Sequence, residues 1–168
     1  KNCEVWGVEP VKELYEDAKN YGYTKLFNNM AEDFVNLPEM VGQEFDVIFL
    51  GDVLEHTMDP LQVLIGLKKF LKPIGRFVIS LPNMAYWGMR RELLMGRFDM
   101  QDGGILDRTH LHFFTLKTMK EFIEKAGLRL EKARPSNGNI ERFGINKLMG
   151  IGQKVFSLWP TLLAYQYI

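Results

Sequence analysis

The clearest pattern in the chain lies at residues 45–50, where Val47-Ile48-Phe49-Leu50 forms a continuous apolar, β-favouring run. Such a run is expected of a central parallel strand covered on both faces. A helical rhythm follows. Asp59-Pro60 is an N-cap with proline at the first helical position, and Leu61, Leu64, Ile65, Leu67 and Leu71 then recur on one face. Lys72-Pro73 ends that helix, Gly75 turns the chain, and residues 76–81 form a second buried strand. Upstream, residues 3–8 read as a short strand. Glu9-Pro10 opens a helix with the apolar face Val11, Leu14, Tyr15 and Ala18, Gly22 closes it, and residues 25–28 form another strand. Alternation at this spacing predicts an α/β fold with a doubly wound, parallel sheet.

Beyond Pro82-Asn83 the regularity weakens. Residues 86–95 are predicted as a helix and 97–112 as a long loop containing Gly103-Gly104. Long loops inside compact domains are often functional. Thr115 caps a helix with the face Leu116, Met119, Phe122, Ile123 and Ala126, and Gly127 stops it. Residues 128–134 are predicted as a strand, 135–139 as a turn-rich loop, 145–158 as a helix and 162–168 as a final strand. There are no repeats and no low-complexity segment. The pattern describes one domain over residues 1–168, with 83–114 as a lid or substrate-binding insertion.

Composition narrows the class. Hydrophobic residues make up 46% and charged residues 25%, a soluble globular profile. Lys plus Arg and Asp plus Glu both number 21, so there is no basic excess of the kind phosphate-gripping nucleic-acid binders show. No apolar run approaches the roughly 18 residues of a membrane span, and Pro160 interrupts the apolar C-terminal stretch. The N-terminus has no signal-like apolar segment. A single cysteine, Cys3, rules out an internal disulfide framework and a CxxC metal site, and its place in a strand pattern predicts burial as a small hydrophobe. A cytoplasmic protein acting on a small molecule is expected, with no nucleic-acid or membrane partner. Self-association into a homo-oligomer stays open.

In open α/β sheets, ligands bind beyond the C-terminal ends of the strands. Glu9 follows the first strand. It suits either the hydrogen bonding of a ribose diol or the ordinary role of an acid at a helix N-terminus. A glycine-rich turn normally precedes such an acid by about 20 residues. Only eight residues precede Glu9, and none forms that turn. Gly150-Ile151-Gly152 has the spacing but stands at the wrong end of the chain. A first strand and its glycine loop are therefore expected to be missing, which should leave neighbouring strands unpaired or the sheet distorted.

Phe45-Asp46-Val47-Ile48-Phe49-Leu50-Gly51-Asp52-Val53-Leu54-Glu55-His56 resembles the central-strand motif of class I S-adenosylmethionine-dependent methyltransferases. Leu71-Lys72-Pro73-Ile74-Gly75-Arg76-Phe77 resembles that family's helix-turn-strand segment, with Ile74 in place of the usual first glycine. Val5-Trp6-Gly7-Val8-Glu9 resembles its second strand. The three run in the family's order through the first half of the chain. Residues 106–115 resemble a segment of a bacterial subgroup.

The resemblance implies a Rossmann-like sheet, mostly parallel with an antiparallel last strand, and S-adenosylmethionine as cofactor. It implies methyl transfer to an oxygen or nitrogen of a small-molecule or saccharide-related acceptor. Glu9 would hold the ribose hydroxyls, and Met30, Ala31 and Glu32 would frame the adenine. Met30 stands where many members carry an acid, so it would only pack on the ring. Gly51, Asp52 and Val53 would approach the methionine end.

Methyl transfer to a protonated nucleophile profits from a general base, and histidine suits that role near neutral pH. His110, in the long loop, is the first candidate and His56 the second. His112, among apolar neighbours, reads as structural. Arg108 suits an anionic acceptor group or an ion pair with Asp107 or Asp102. Tyr86, with Trp87 and Met89, suits a substrate lid or ordinary core. No His or Cys cluster has zinc-ligand spacing, so no metal is expected. Two other classes remain: a nicotinamide-dependent oxidoreductase, which also uses an acid after the second strand, and a non-catalytic, methyltransferase-like interaction module.

Overall fold

The computed structural model describes residues 3–136 and 160–168. Trp6–Val8 (β1) and Lys25–Phe27 (β2) pair in parallel as a two-stranded sheet. Helix α1, Lys12–Ala18, and a 3-10 turn at Lys19–Tyr21 connect them. Gly22 ends this crossover at φ 75°, a left-handed conformation that glycine adopts without a Cβ clash. A short helix α2, Ala31–Phe34, leads on to β3, Phe45–Gly51. Then come α3, Pro60–Lys68, and β4, Leu71–Pro82. The remaining elements are α4 (Trp87–Leu94), α5 (Leu116–Lys125), β5 (Pro135–Ser136), α6 (Pro160–Leu163) and β6 (Gln166–Tyr167).

The second sheet has the order β3-β4-β6-β5. β3 and β4 are parallel, while β6 runs antiparallel to both β4 and β5. The mixed architecture is the one expected, antiparallel last strand included. It is divided as well: β1-β2 and β3-β4-β6-β5 are separate sheets. β3 leaves Val47 and Phe49 exposed at 57% and 67%, and Leu14 of α1 and Val11 just before it are exposed as well.

One apolar cluster joins the parts. Val63, Leu64 and Leu67 of α3 meet Met119 and Ile123 of α5, Leu50 of β3 and Leu81 of β4. Trp6 and Phe27 from the small sheet pack against the same cluster, with the Trp6 and Phe45 rings 5.4 Å apart, edge to face. Both main helices begin as the sequence specifies. Asp59 Oδ1 accepts the Gln62 amide at 3.1 Å ahead of Pro60, and Thr115 and Thr118 form a reciprocal capping box. A smaller cluster of Met89, Ile105 and Leu106, with Tyr86 and Tyr165 against it, supports the segment over residues 83–114.

Several expectations are corrected. Residues 72–75, expected as a helix end and turn, lie within β4 as an irregularity: Phe45 pairs with Leu71, but Val47 already pairs with Arg76. Residues 128–134 form no strand. A strand needs a partner ladder, and β6 is only two residues long. Pairing therefore begins at Arg134, which exchanges both backbone hydrogen bonds with Ile168, and continues through β5. The predicted strand over 162–168 gives its first part to α6. Cys3 is exposed, because β1 starts three residues later and none of the described residues covers it. The helix predicted over 145–158 and Gly150-Ile151-Gly152 lie outside the described residues.

Fully buried Asn83 fastens the C-terminal segment to the end of β4. Its Nδ2 donates to the carbonyls of Thr161 and Ala164 at 3.1 and 2.7 Å, and its Oδ1 accepts the Ala85 amide. Asn83→Ala would strand these buried groups, so we expect a loss of about 1–3 kcal/mol in urea unfolding, accompanied by faster amide exchange at Tyr167.

Candidate functional site

Because β1 parallels β2 and β3 parallels β4, each pair sends the segments after its strands to one end. Glu9 follows β1, half-buried, and its Oε1 accepts the Val11 amide at 2.9 Å, the local role of an acid ahead of a helix. Met30 precedes α2 and is 51% exposed, while Ala31 and Glu32 are half-buried. Glu32 Oε1 accepts the Met58 amide at 3.0 Å, which ties the segment after β2 to the segment after β3.

Gly51 ends β3, and Asp52 follows at φ 52°, a left-handed conformation uncommon outside glycine. The strain is supported by partners: Asp52 Oδ1 accepts from the Ser80 hydroxyl at 3.0 Å and from the Gln166 side chain of β6. Ser80 and Gln166 give no sequence signal, because a 3.0 Å contact across 28 residues depends on strand register. Val53 is half-buried and leads into a 3-10 turn at Leu54–His56.

That turn holds the least expected group in the molecule. Glu55 has no exposure, and neither carboxylate oxygen has a hydrogen-bond partner. Burial, with the neighbouring Asp52 charge, pushes its carboxyl up to about 8. Sequence reasoning missed Glu55 as a site residue. The available signal was an acid three positions after Asp52, inside an otherwise apolar segment that immediately follows a buried strand.

The long loop is fastened to this turn. The amides of Leu111 and His112 both donate to the Glu55 backbone carbonyl, at 2.7 and 3.2 Å. As a result His110, buried at 9% exposure, stands beside His56, with ring centroids 4.7 Å apart. His110 Nδ1 lies 2.9 Å from the Ile105 carbonyl, and His56 Nδ1 lies 3.3 Å from the Thr109 carbonyl. A carbonyl only accepts, so Nδ1 of each ring carries a proton there; Thr109 Oγ1, 3.0 Å from His56 Nδ1, gives its own proton to Asp107 and accepts as well. One ligand atom from each of Glu55, His56 and His110 falls within 4.8 Å of the others, a set able to hold a cation or relay a proton.

The other predicted residues lie apart from this centre. Arg108 forms an exposed ion pair with Asp102 at 2.8 Å, the alternative that its sequence allowed. Tyr86 packs edge to face on Tyr165 and lines an open cleft of about 220 Å³ with Met89, Arg91 and Gly104. His112 Nε2 lies 3.3 Å from the Met58 carbonyl, in keeping with a structural role. Among the described residues, no helix is long and apolar enough to cross a membrane.

A family model described as a methyltransferase domain matches residues 1–133. No curated protein matches the chain. Similar solved structures include an S-adenosylmethionine-dependent methyltransferase from Thermotoga maritima, described as a possible histamine N-methyltransferase. It has a TM-score of 0.55 and 21% identity over 77% of this chain and 56% of that one. An S-adenosylmethionine-dependent methyltransferase from Archaeoglobus fulgidus has a TM-score of 0.61 and 18% identity, over 96% and 72% of the two chains. At these identities the likeness is one of fold, and this chain spans little more than half of the first structure's length.

The raised carboxyl of Glu55 has a definite consequence for stability. A group protonated more tightly in the folded than in the unfolded chain contributes stability that is complete below about pH 4.5 and is lost as pH rises through about 8. In chelator-containing buffer, wild-type stability should fall across that window, and Glu55→Gln should flatten the fall. Urea midpoints at pH 5, 7 and 9 measure both slopes.

Proposed function

The chain belongs to the methyltransferase-domain family, and from that premise we propose that it transfers a methyl group from S-adenosylmethionine to an oxygen or nitrogen of a small-molecule or saccharide-related acceptor. The observation that carries this reading is the convergence after β3. Gly51 and the strained Asp52 lead within four residues to His56, and the long loop delivers His110 beside it.

The residues after the parallel strands suit the cofactor. Glu9 keeps one carboxylate oxygen on the Val11 amide, and its other oxygen is the one to accept a ribose hydroxyl. Met30, half exposed, offers an apolar surface to adenine beside the backbone of Ala31 and Glu32. Gly51, Asp52 and Val53 face the methionine end. The cofactor supplies a methyl carbon activated by positive sulfur, so the protein's task is alignment and exclusion of water.

The acceptor's proton goes to Nε2 of His110, whose Nδ1–H is held by the Ile105 carbonyl. His56, in contact with that ring, shares the developing charge. Residues 83–114 serve as the lid, with Tyr86 lining the acceptor cleft. Arg108 engages an anionic acceptor group on release from Asp102. The exposed β3 edge and the division of the sheet support a further strand between β1 and β3, and its loop would complete the methionine end.

Calorimetric titration of S-adenosylhomocysteine into the full-length protein tests the cofactor assignment, with NAD as control. We expect binding of the former alone and at least a tenfold loss in Glu9→Ala. Binding of neither would remove the enzyme reading and leave an interaction module. Given turnover with an acceptor, His110→Ala should lower kcat by about 10²-fold or more with little change in cofactor affinity.

A further inference from the structure

We propose that Glu55, His56 and His110 bind a divalent transition-metal cation, with Glu55 as the anionic ligand and the two imidazoles as neutral ones. Three independent features of the cluster point to it. First, one ligand atom from each residue lies within 4.8 Å of the other two. Neighbouring ligands of a tetrahedral, zinc-sized ion are about 3.4 Å apart, given bonds of about 2.0–2.2 Å. Side-chain shifts of about 1.4 Å or less therefore close the site, and His56, half-buried, is the more accessible of the two rings to make them.

Second, the Glu55 carboxylate is completely buried, yet neither oxygen has a hydrogen-bond partner. Buried polar groups are almost always satisfied, and an orphaned carboxylate beside two imidazoles is best explained by a ligand.

Third, Nδ1 of each ring is already engaged, which leaves Nε2 as the nitrogen to ligate. The carbonyls of Thr109 and Ile105 hold Nδ1–H of His56 and His110, the outer hydrogen bond that ligating histidines ordinarily make to fix their tautomer. The lone pair on Nε2 is then available. The long loop brings its half of the set into place through the Glu55 backbone carbonyl, so ligand and scaffold are one local unit.

Two imidazoles and a carboxylate suit Zn2+, Mn2+ or Co2+ better than Ca2+, and three protein ligands leave positions open for water or a substrate oxygen. A cation there would bind the acceptor oxygen and lower its proton affinity, and with His110 Nε2 ligated the acceptor's proton would leave to solvent rather than to that ring. That use rests on the methyl-transfer reading, whereas the binding itself does not.

The test is a titration of CoCl2 into chelator-stripped, dialysed full-length protein without cofactor, followed by the visible absorption of coordinated Co2+. We expect one saturable Co2+ per chain, displaced by Zn2+. His110→Ala and Glu55→Gln should each lower affinity by about tenfold or more, whereas His112→Ala, which alters the third histidine, should not. Absence of saturable binding in the wild type would overturn the proposal, as would undiminished affinity in a folded His110→Ala protein. Glu55→Gln counts only if its circular dichroism matches wild type, and His110→Ala decides otherwise. Because the S-adenosylhomocysteine titration contains no added cation, either result can fail while the other stands.

Discussion

Two amides of the long loop, those of Leu111 and His112, converge on the backbone carbonyl of Glu55. Much of the site's geometry depends on that junction. It places His110 against His56 and sets Thr109 on the Nδ1 of His56, beside the fully buried Glu55 side chain. These are backbone bonds, so the junction does not depend on which side chains the two donors carry. The side chains then inherit a fixed relation. A loop of this length, without helix or strand of its own, would otherwise scatter its histidines over many positions. Asp107 adds to the local order by accepting the hydroxyl and the amide of Thr109, and these bonds hold its carboxyl below the usual range.

The opposite tendency governs the front of the sheet. β1 and β2 pair only with each other, and their attachment to the rest runs through aromatic contacts such as Trp6 with Phe45, not through a hydrogen-bonded ladder. Apolar contact is tolerant of geometry and a β-ladder is not. The small sheet therefore keeps its place on the core although no strand links it to β3. Val47 and Phe49 of β3 and Leu14 of α1 stay exposed on either side of this divide. Candidate cofactor residues fall on both sides of this divide. The bond from the Met58 amide to Glu32 is the polar link between the segments that carry them.

Strong local signals survived folding where a single element could satisfy them. Asp59-Pro60 and Thr115 start helices where their chemistry requires, and the apolar run Val47 to Leu50 is a strand. The reading failed where structure depended on a partner. Residues 128–134 have a strand-like composition, but β6 is too short to pair with them, and Cys3 lies just outside a strand that begins late. Glu9 was legible as an acid after a strand. Its bond to the Val11 amide shows that the helix-entry role and a binding role need not compete, since one carboxylate has two oxygens.

From the sequence alone came the alternation of strands and helices, the family likeness, and the expectation of an incomplete first part of the sheet. Each rests on order and spacing along the chain, which are one-dimensional properties. The meeting of Glu55 and His56 with His110 is not of that kind: 54 residues separate the two histidines in sequence. Only the register of β3 against β4 and the docking of the long loop bring their rings to 4.7 Å. Burial of Glu55 likewise depends on neighbours from distant segments, and burial is what turns an ordinary acid into an unpartnered carboxylate. The sequence supplied the chemical groups, and tertiary packing decided which of them meet and which are denied water.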